Sequence, residues 1–368
     1  MGKEKKDKIS YLQLICMIVQ TQIGVGILSL PHDVALVSKN DGWISTLIAG
    51  VVVQVIIFIL WSLFKRFPNL TFYEIIIELL GKKIGKLFIL FYIAYFVLTG
   101  SFVLIRYSQV INIWILQKTP KWVMILLMII VCMYIVKGSF RAIARFYVFV
   151  TPLLLIFVAL ITYSLKDSNI LYIFPIGING FSNIIKGSKE ATFAMIGFEI
   201  VFLLYPLLRE SNSKKLKGMS VANIIVTLLY SYLVFSSLIY FETSQDLFLT
   251  PQPLLYMIKA YSFQILERTD LFFLSIWIVC VATSIGSWLL LSANALKTIL
   301  QKPNHNKYIP YMGLSFFLIT LFPINETNIE TFNKLLNPAH YFFLVIFPFF
   351  LLVISFGLSK IKVGEMKE

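Results

Sequence analysis

Ten long runs of Ile, Leu, Val and Phe, parted by short polar clusters, constrain this 368-residue chain more than any other feature. They fall roughly at residues 10–30, 44–64, 87–116, 121–136, 143–165, 190–208, 219–241, 270–296, 309–323 and 339–358. Each is near or above the roughly 20 residues that a helix needs to cross a bilayer, the fourth and ninth being the shortest. Only 14% of the residues are charged, against about 25% in an ordinary soluble domain. The fold class expected is therefore an all-α integral membrane protein with about ten transmembrane helices, and a soluble enzyme is excluded.

Charge gives the orientation. The net charge of +14 would suit nucleic acid if it lay on a soluble basic domain, but the loops are too short to form one, so no nucleic-acid partner is expected. With the N-terminus in the cytoplasm, 22 of the 32 Lys and Arg fall in inner tails and loops and 9 outside, with Arg106 alone inside a span. Both termini are then cytoplasmic by the positive-inside rule. The basic stretch Lys3 to Lys8 precedes a first span that has no small-residue cleavage site and carries Gln13, Gln20 and Gln22, so this span reads as a retained helix. Between spans seven and eight, Leu254, Leu255, Ile258, Tyr261 and Ile265 recur at helical spacing and predict a helix lying along the outer surface.

Two spans are written to break. The first contains Gln20-Thr21-Gln22-Ile23-Gly24-Val25-Gly26, and the sixth contains Ile196-Gly197-Phe198-Glu199 and closes at Tyr205-Pro206. Glycine costs about 1 kcal/mol relative to alanine inside a helix, and unwound backbone at membrane depth must face protein or water. Five spans run from the first break to the second and five from the second onward, so the second copy crosses in the opposite direction. The whole chain, 1–368, reads as one transmembrane domain of two inverted repeats, at about 10–165 and 187–360. Span three carries Thr99-Gly100-Ser101 and span eight Thr283-Ser284-Ile285-Gly286-Ser287, clusters that serve either close helix packing or a ligand.

Two charges need an explanation, because a charge at the bilayer centre costs at least about 2.5–3.5 kcal/mol. Arg106 lies about 12 residues, roughly 18 Å, from the outer end of span three, and Glu199 about 10 residues, roughly 15 Å, below that of span six. They either pair in the interior, or Arg106 snorkels to the outer headgroups while Glu199 is a structural or protonated carboxyl, meets a cationic ligand group, or carries a proton. Other chemistry is thin. His32, His305 and His340 have no metal-site spacing, Cys16, Cys132 and Cys280 sit in apolar runs as small hydrophobes, and no nucleotide loop or serine triad is present. Neither a metal, a cofactor nor catalysis is expected.

The run Thr21-Gln22-Ile23-Gly24-Val25-Gly26-Ile27-Leu28-Ser29-Leu30-Pro31, the pair Gly197-Phe198-Glu199-Ile200 and Tyr205-Pro206, and the ten-span count resemble the B-subunit family of bacterial spore germinant receptors, spore germination permeases of the amino acid-polyamine-organocation superfamily. The resemblance covers essentially the whole chain. It implies a LeuT-like 5+5 inverted repeat with helices 1 and 6 interrupted, a place in the spore inner membrane, and a small nutrient germinant, an amino acid foremost, sensed together with an A subunit and a lipoprotein C subunit. It implies a ligand site at Gly24, Val25 and Gly26, at Thr99, Ser101 and Phe102, at Ile196 and Gly197, and at Thr283 and Ser284. Secondary transport of amino acids or amines is the alternative use of the same architecture.

Overall fold

The computed structural model describes residues 8–242, 244–261, 268–322 and 325–365. The chain enters its first helix through a reciprocal cap, Ser10 accepting from the Gln13 N–H while the Gln13 side chain accepts from the Ser10 N–H. The first repeat comprises α1 (Tyr11–Gln22), α2 (Gly26–Ser38), α3 (Gly42–Arg66), α4 (Phe72–Trp114), α5 (Lys121–Val136), α6 (Phe140–Val150) and α7 (Leu153–Ser164). The second comprises α8 (Phe181–Ala194), α9 (Val201–Leu204), α10 (Asn212–Tyr240), α11 (Ser244–Phe248), α12 (Pro253–Lys259), α13 (Thr269–Ile299), α14 (Ile309–Thr320), α15 (Glu326–Tyr341) and α16 (Phe347–Glu365). The described residues form no strand.

Each of the ten apolar runs has helix at its core. Among the described residues, six helical stretches are long and apolar enough to cross a membrane, the bent pair α8 and Phe198–Leu207 makes a seventh, and α5 and α14 are apolar but shorter. Span one is divided between α1 and α2, and span five between α6 and α7, where Pro152 removes a backbone donor. Some boundaries differ from those expected. Span six begins at Phe181 instead of 190, because Ser45 and Ser38 donate to the Ile184 and Asn183 carbonyls and seat the lysine-bearing first turns of α8 on the α2–α3 corner. Span three continues a helical stretch that starts at a Thr71–Glu74 cap and kinks at Gly81, whose φ is +78°. The last span starts at Glu326 and passes through a π-helical turn at Phe342–Ile346.

Burial grades from the centre outward. In α13, 83% of the apolar window is buried, against 28% for Phe140–Asp167. Trp277 and Trp288 of α13 are fully enclosed, while Val51 and Val55 on α3, Leu127 and Val131 on α5 and Phe349 and Val353 on α16 are exposed. A shell of exposed aliphatic side chains around a core holding Gln20, Thr21, Glu199 and Ser287 is the pattern of a protein in lipid. Leu254, Leu255 and Ile258 of helix α12, between spans seven and eight, are buried, and Tyr261 donates to the Asp167 carboxylate; Ile265 lies outside the described residues. The three cysteines are buried free thiols.

Candidate functional site

Where α1 stops, its last carbonyls lose their helical partners and must find donors, since lipid offers none. The Thr21 carbonyl accepts from Ser284 Oγ of α13 at 3.0 Å, and the Gln22 carbonyl from the Tyr230 hydroxyl of α10 at 2.9 Å. Ile23 is extended, with φ −86° and ψ 93°, and helix resumes at Gly26. Gly24 lies so near α13 that a Cβ there would sit 3.0 Å from Ser284 Oγ, and one on Gly26 would meet Ala194 at 3.4 Å.

The second break lies against the first. After Ala194, the Met195 carbonyl accepts from Gln22 Nε2 at 2.7 Å. Gly197 has φ +136°, and a Cβ on it would lie 2.6 Å from the Thr21 carbonyl and the Gln22 nitrogen. Glycine is therefore demanded both by the torsion and by the approach of one backbone to another. The Gly197 N–H donates to Glu199 Oε2 at 2.6 Å, and the Tyr95 hydroxyl of α4 donates to Oε1 at 3.3 Å. Tyr95 is also 3.0 Å from His340 Nδ1 on the last span.

Hydroxyls on span eight complete the floor. Thr283 donates to Gln20 Oε1 at 3.0 Å, Ser287 Oγ pairs with Thr21 Oγ1 at 2.7 Å, and Tyr147 reaches the Thr283 carbonyl and, at 2.9 Å, Ser287. The third span of each half thus serves the broken first span of the other: α13 binds the break after α1, and α4 binds the break after α8.

The structure gathers Gly24, Gly26, Ile196, Gly197, Thr283 and Ser284, with the half-buried Val25 between them and Thr99 buried one turn beyond Tyr95. Ser101 and Phe102 are not at the breaks. Ser101 donates to the Phe316 carbonyl of α14 at 3.2 Å, a packing contact, and the Phe102 ring stands 6.1 Å from Phe332. Arg106 lies over Phe102 at 5.4 Å and reaches Gln109, and among the described residues no ion pair joins it to Glu199. Tyr95, Tyr147 and Tyr230 escaped the sequence reading, and His340 entered it only as a histidine without metal-site spacing. The available signal was a tyrosine inside an apolar run, whose hydroxyl must find a partner when buried.

A profile described as spore germination protein matches residues 8–329. The chain is 31% identical over 329 residues to the spore germination protein GerQB of Bacillus cereus, covering 89% of each chain. It is 25% identical over 370 residues to the spore germination protein B2 of Bacillus subtilis strain 168, covering 99% of this chain and 100% of that one. In three dimensions it is similar to a solved Na+-coupled sialic acid symporter in a substrate-bound, outward-open state, with a TM-score of 0.70 at 12% identity over 90% of this chain and 77% of the other. That likeness is of fold: the arrangement is the LeuT type, a 5+5 inverted repeat with spans one and six interrupted.

Proposed function

This chain belongs to the spore germination protein family, and on that premise we propose that it is a germinant receptor subunit that binds a small nutrient, an amino acid foremost, between its two broken helices. The observation that carries the reading is the contact of the breaks themselves, Gly197 lying on the Thr21–Gln22 peptide. The start of α2 turns N–H groups toward the break for a carboxylate, and an ammonium would compete with Ser284 and Tyr230 for the carbonyls at the end of α1 that they now hold. Glu199 supplies a carboxylate at the same level.

Sensing requires only that the ligand bind one arrangement of the breaks more tightly than another. The change is passed, in this reading, to an A subunit and a lipoprotein C subunit in the spore inner membrane, with both termini of this chain in the cytoplasm. Spores lacking the gene and complemented with wild-type or Gly24→Leu protein test it. Wild type restores the response to its nutrient, and the filled break, present at the same level, does not; equal responses would refute the site.

A second reading, secondary transport of an amino acid or amine, is supported by the likeness to a symporter. Uptake of radiolabelled amino acids into proteoliposomes separates the two. Accumulation above protein-free vesicles favours transport, and binding without accumulation favours sensing alone.

A further inference from the structure

We propose that Glu199, Tyr95 and His340 form a proton relay that joins the break in the sixth span to the last span. The three are far apart in sequence but joined in space through one hydroxyl: Tyr95 OH is 3.3 Å from Glu199 Oε1 and 3.0 Å from His340 Nδ1. Glu199 is fully buried and Tyr95 and His340 nearly so, so water does not compete for these bonds.

A phenol has one proton to give. When Tyr95 donates to a Glu199 carboxylate, its oxygen accepts from a protonated His340 Nδ1. When it donates to the Nδ1 lone pair, its oxygen accepts from a protonated Glu199 carboxyl. Interchange needs no other reactant: the carboxyl proton passes to the Tyr95 oxygen as the phenol proton passes to Nδ1. The products are carboxylate, neutral phenol and imidazolium, and the reverse restores carboxyl and imidazole.

The surroundings hold the line in register. The Tyr95 ring stacks on Phe343 at 4.9 Å, and Phe193 lies 5.5 Å from the His340 ring. Tyr92, one turn before Tyr95, donates to the Phe343 carbonyl in the π-helical turn at 2.7 Å, so the same face of α4 grips the irregular part of the last span. The titratable groups facing the trio are Tyr92 and, behind it, Tyr73 on α4; Glu190 of α8 interacts with Tyr341, the residue after His340, and with Lys189. From α1 and α13 the breaks receive Thr21, Gln22, Ser284 and Ser287, and α9 (Val201–Leu204) contributes apolar side chains. No cation among these neutralises Glu199, which leaves its proton to be settled with His340.

Nitrogen-15 histidine NMR of the purified full chain in nanodiscs, titrated between about pH 4 and 9, tests the relay without any ligand, with His340→Gln assigning the signal. With Tyr95 present, Glu199→Gln should make His340 bind its Nδ1 proton about tenfold more weakly, one pH unit. In Tyr95→Phe protein, which keeps the ring stack, the same Glu199→Gln change should move the midpoint less than about twofold. An equal shift in both backgrounds, no shift in either, or a histidine that never changes protonation would overturn the relay. Should Tyr95→Phe protein fail to fold, the carboxyl stretch of Glu199 by infrared spectroscopy is the second readout. It must differ between wild type and His340→Gln, and identical bands would overturn the proposal equally.

Discussion

The Gln22 side-chain amide donates to the Met195 carbonyl at 2.7 Å, tying the end of α1 to the end of α8. Each helix stops where the other can take up its loose backbone. Two interruptions that would each expose several orphan groups in lipid, at several kcal/mol apiece, instead cover one another.

Gly197→Ala is therefore expected to be severe. A β-carbon there would lie 2.6 Å from the Thr21–Gln22 backbone while φ is held at +136°; backbone strain of about 1–3 kcal/mol adds to overpacking of similar size. Gly177→Ala is the matched control, with φ +80° and nothing within 4 Å of the added carbon. Thermal unfolding in detergent should show a small loss for Gly177→Ala and a loss several times larger, or no folded protein, for Gly197→Ala.

Ser284→Ala and Tyr230→Phe each remove the donor to one carbonyl at the end of α1. Each leaves a buried acceptor unpaired, costing about 1–3 kcal/mol. The unfolding midpoint should fall in both. Ser101→Ala, which takes a hydroxyl from the α14 contact, should lower stability without touching ligand affinity.

Glu199→Gln keeps an oxygen for the Gly197 N–H and removes the charge. The variant should fold, with stability within about 2 kcal/mol of wild type, and lose the nutrient response in spores. A normal response from normally expressed protein would remove Glu199 from the site.

Orientation is open to cysteine labelling, because the three native thiols are buried. In a background lacking them, Ile178→Cys at an exposed outer-loop position should react with a membrane-impermeant maleimide in intact cells. Asn304→Cys, exposed on the opposite loop, should react only after permeabilisation. The reverse pattern would invert the topology.

The breaks were legible in the sequence because Gly24, Gly26 and Gly197 stand beside polar Gln20, Thr21, Gln22 and Glu199 within apolar runs, and they lie where the helices part. Facing was not legible. Thr99 and Ser101 are two residues apart, roughly 200° around a helix, so one hydroxyl turned to the site places the other on α14. The partners of the buried tyrosines were equally hidden, since Tyr95 and His340 are separated by 245 residues and only the tertiary fold joins them. The early start of span six escaped because Lys186 and Lys189 make its first turns polar, although Gly187 between them packs against Ser38 of α2 and Ser45 of α3.

The central claim, a ligand held between the two breaks, is met most directly by ligand-dependent thermal shift of the purified protein screened with amino acids, sugars and nucleosides. At least one amino acid should raise the unfolding temperature of wild type and do nothing for folded Gly24→Leu protein, whose own midpoint is lower because a Cβ at that position already meets Ser284 Oγ at 3.0 Å. Stabilisation that persists in the Gly24→Leu protein would place the ligand elsewhere and contradict it.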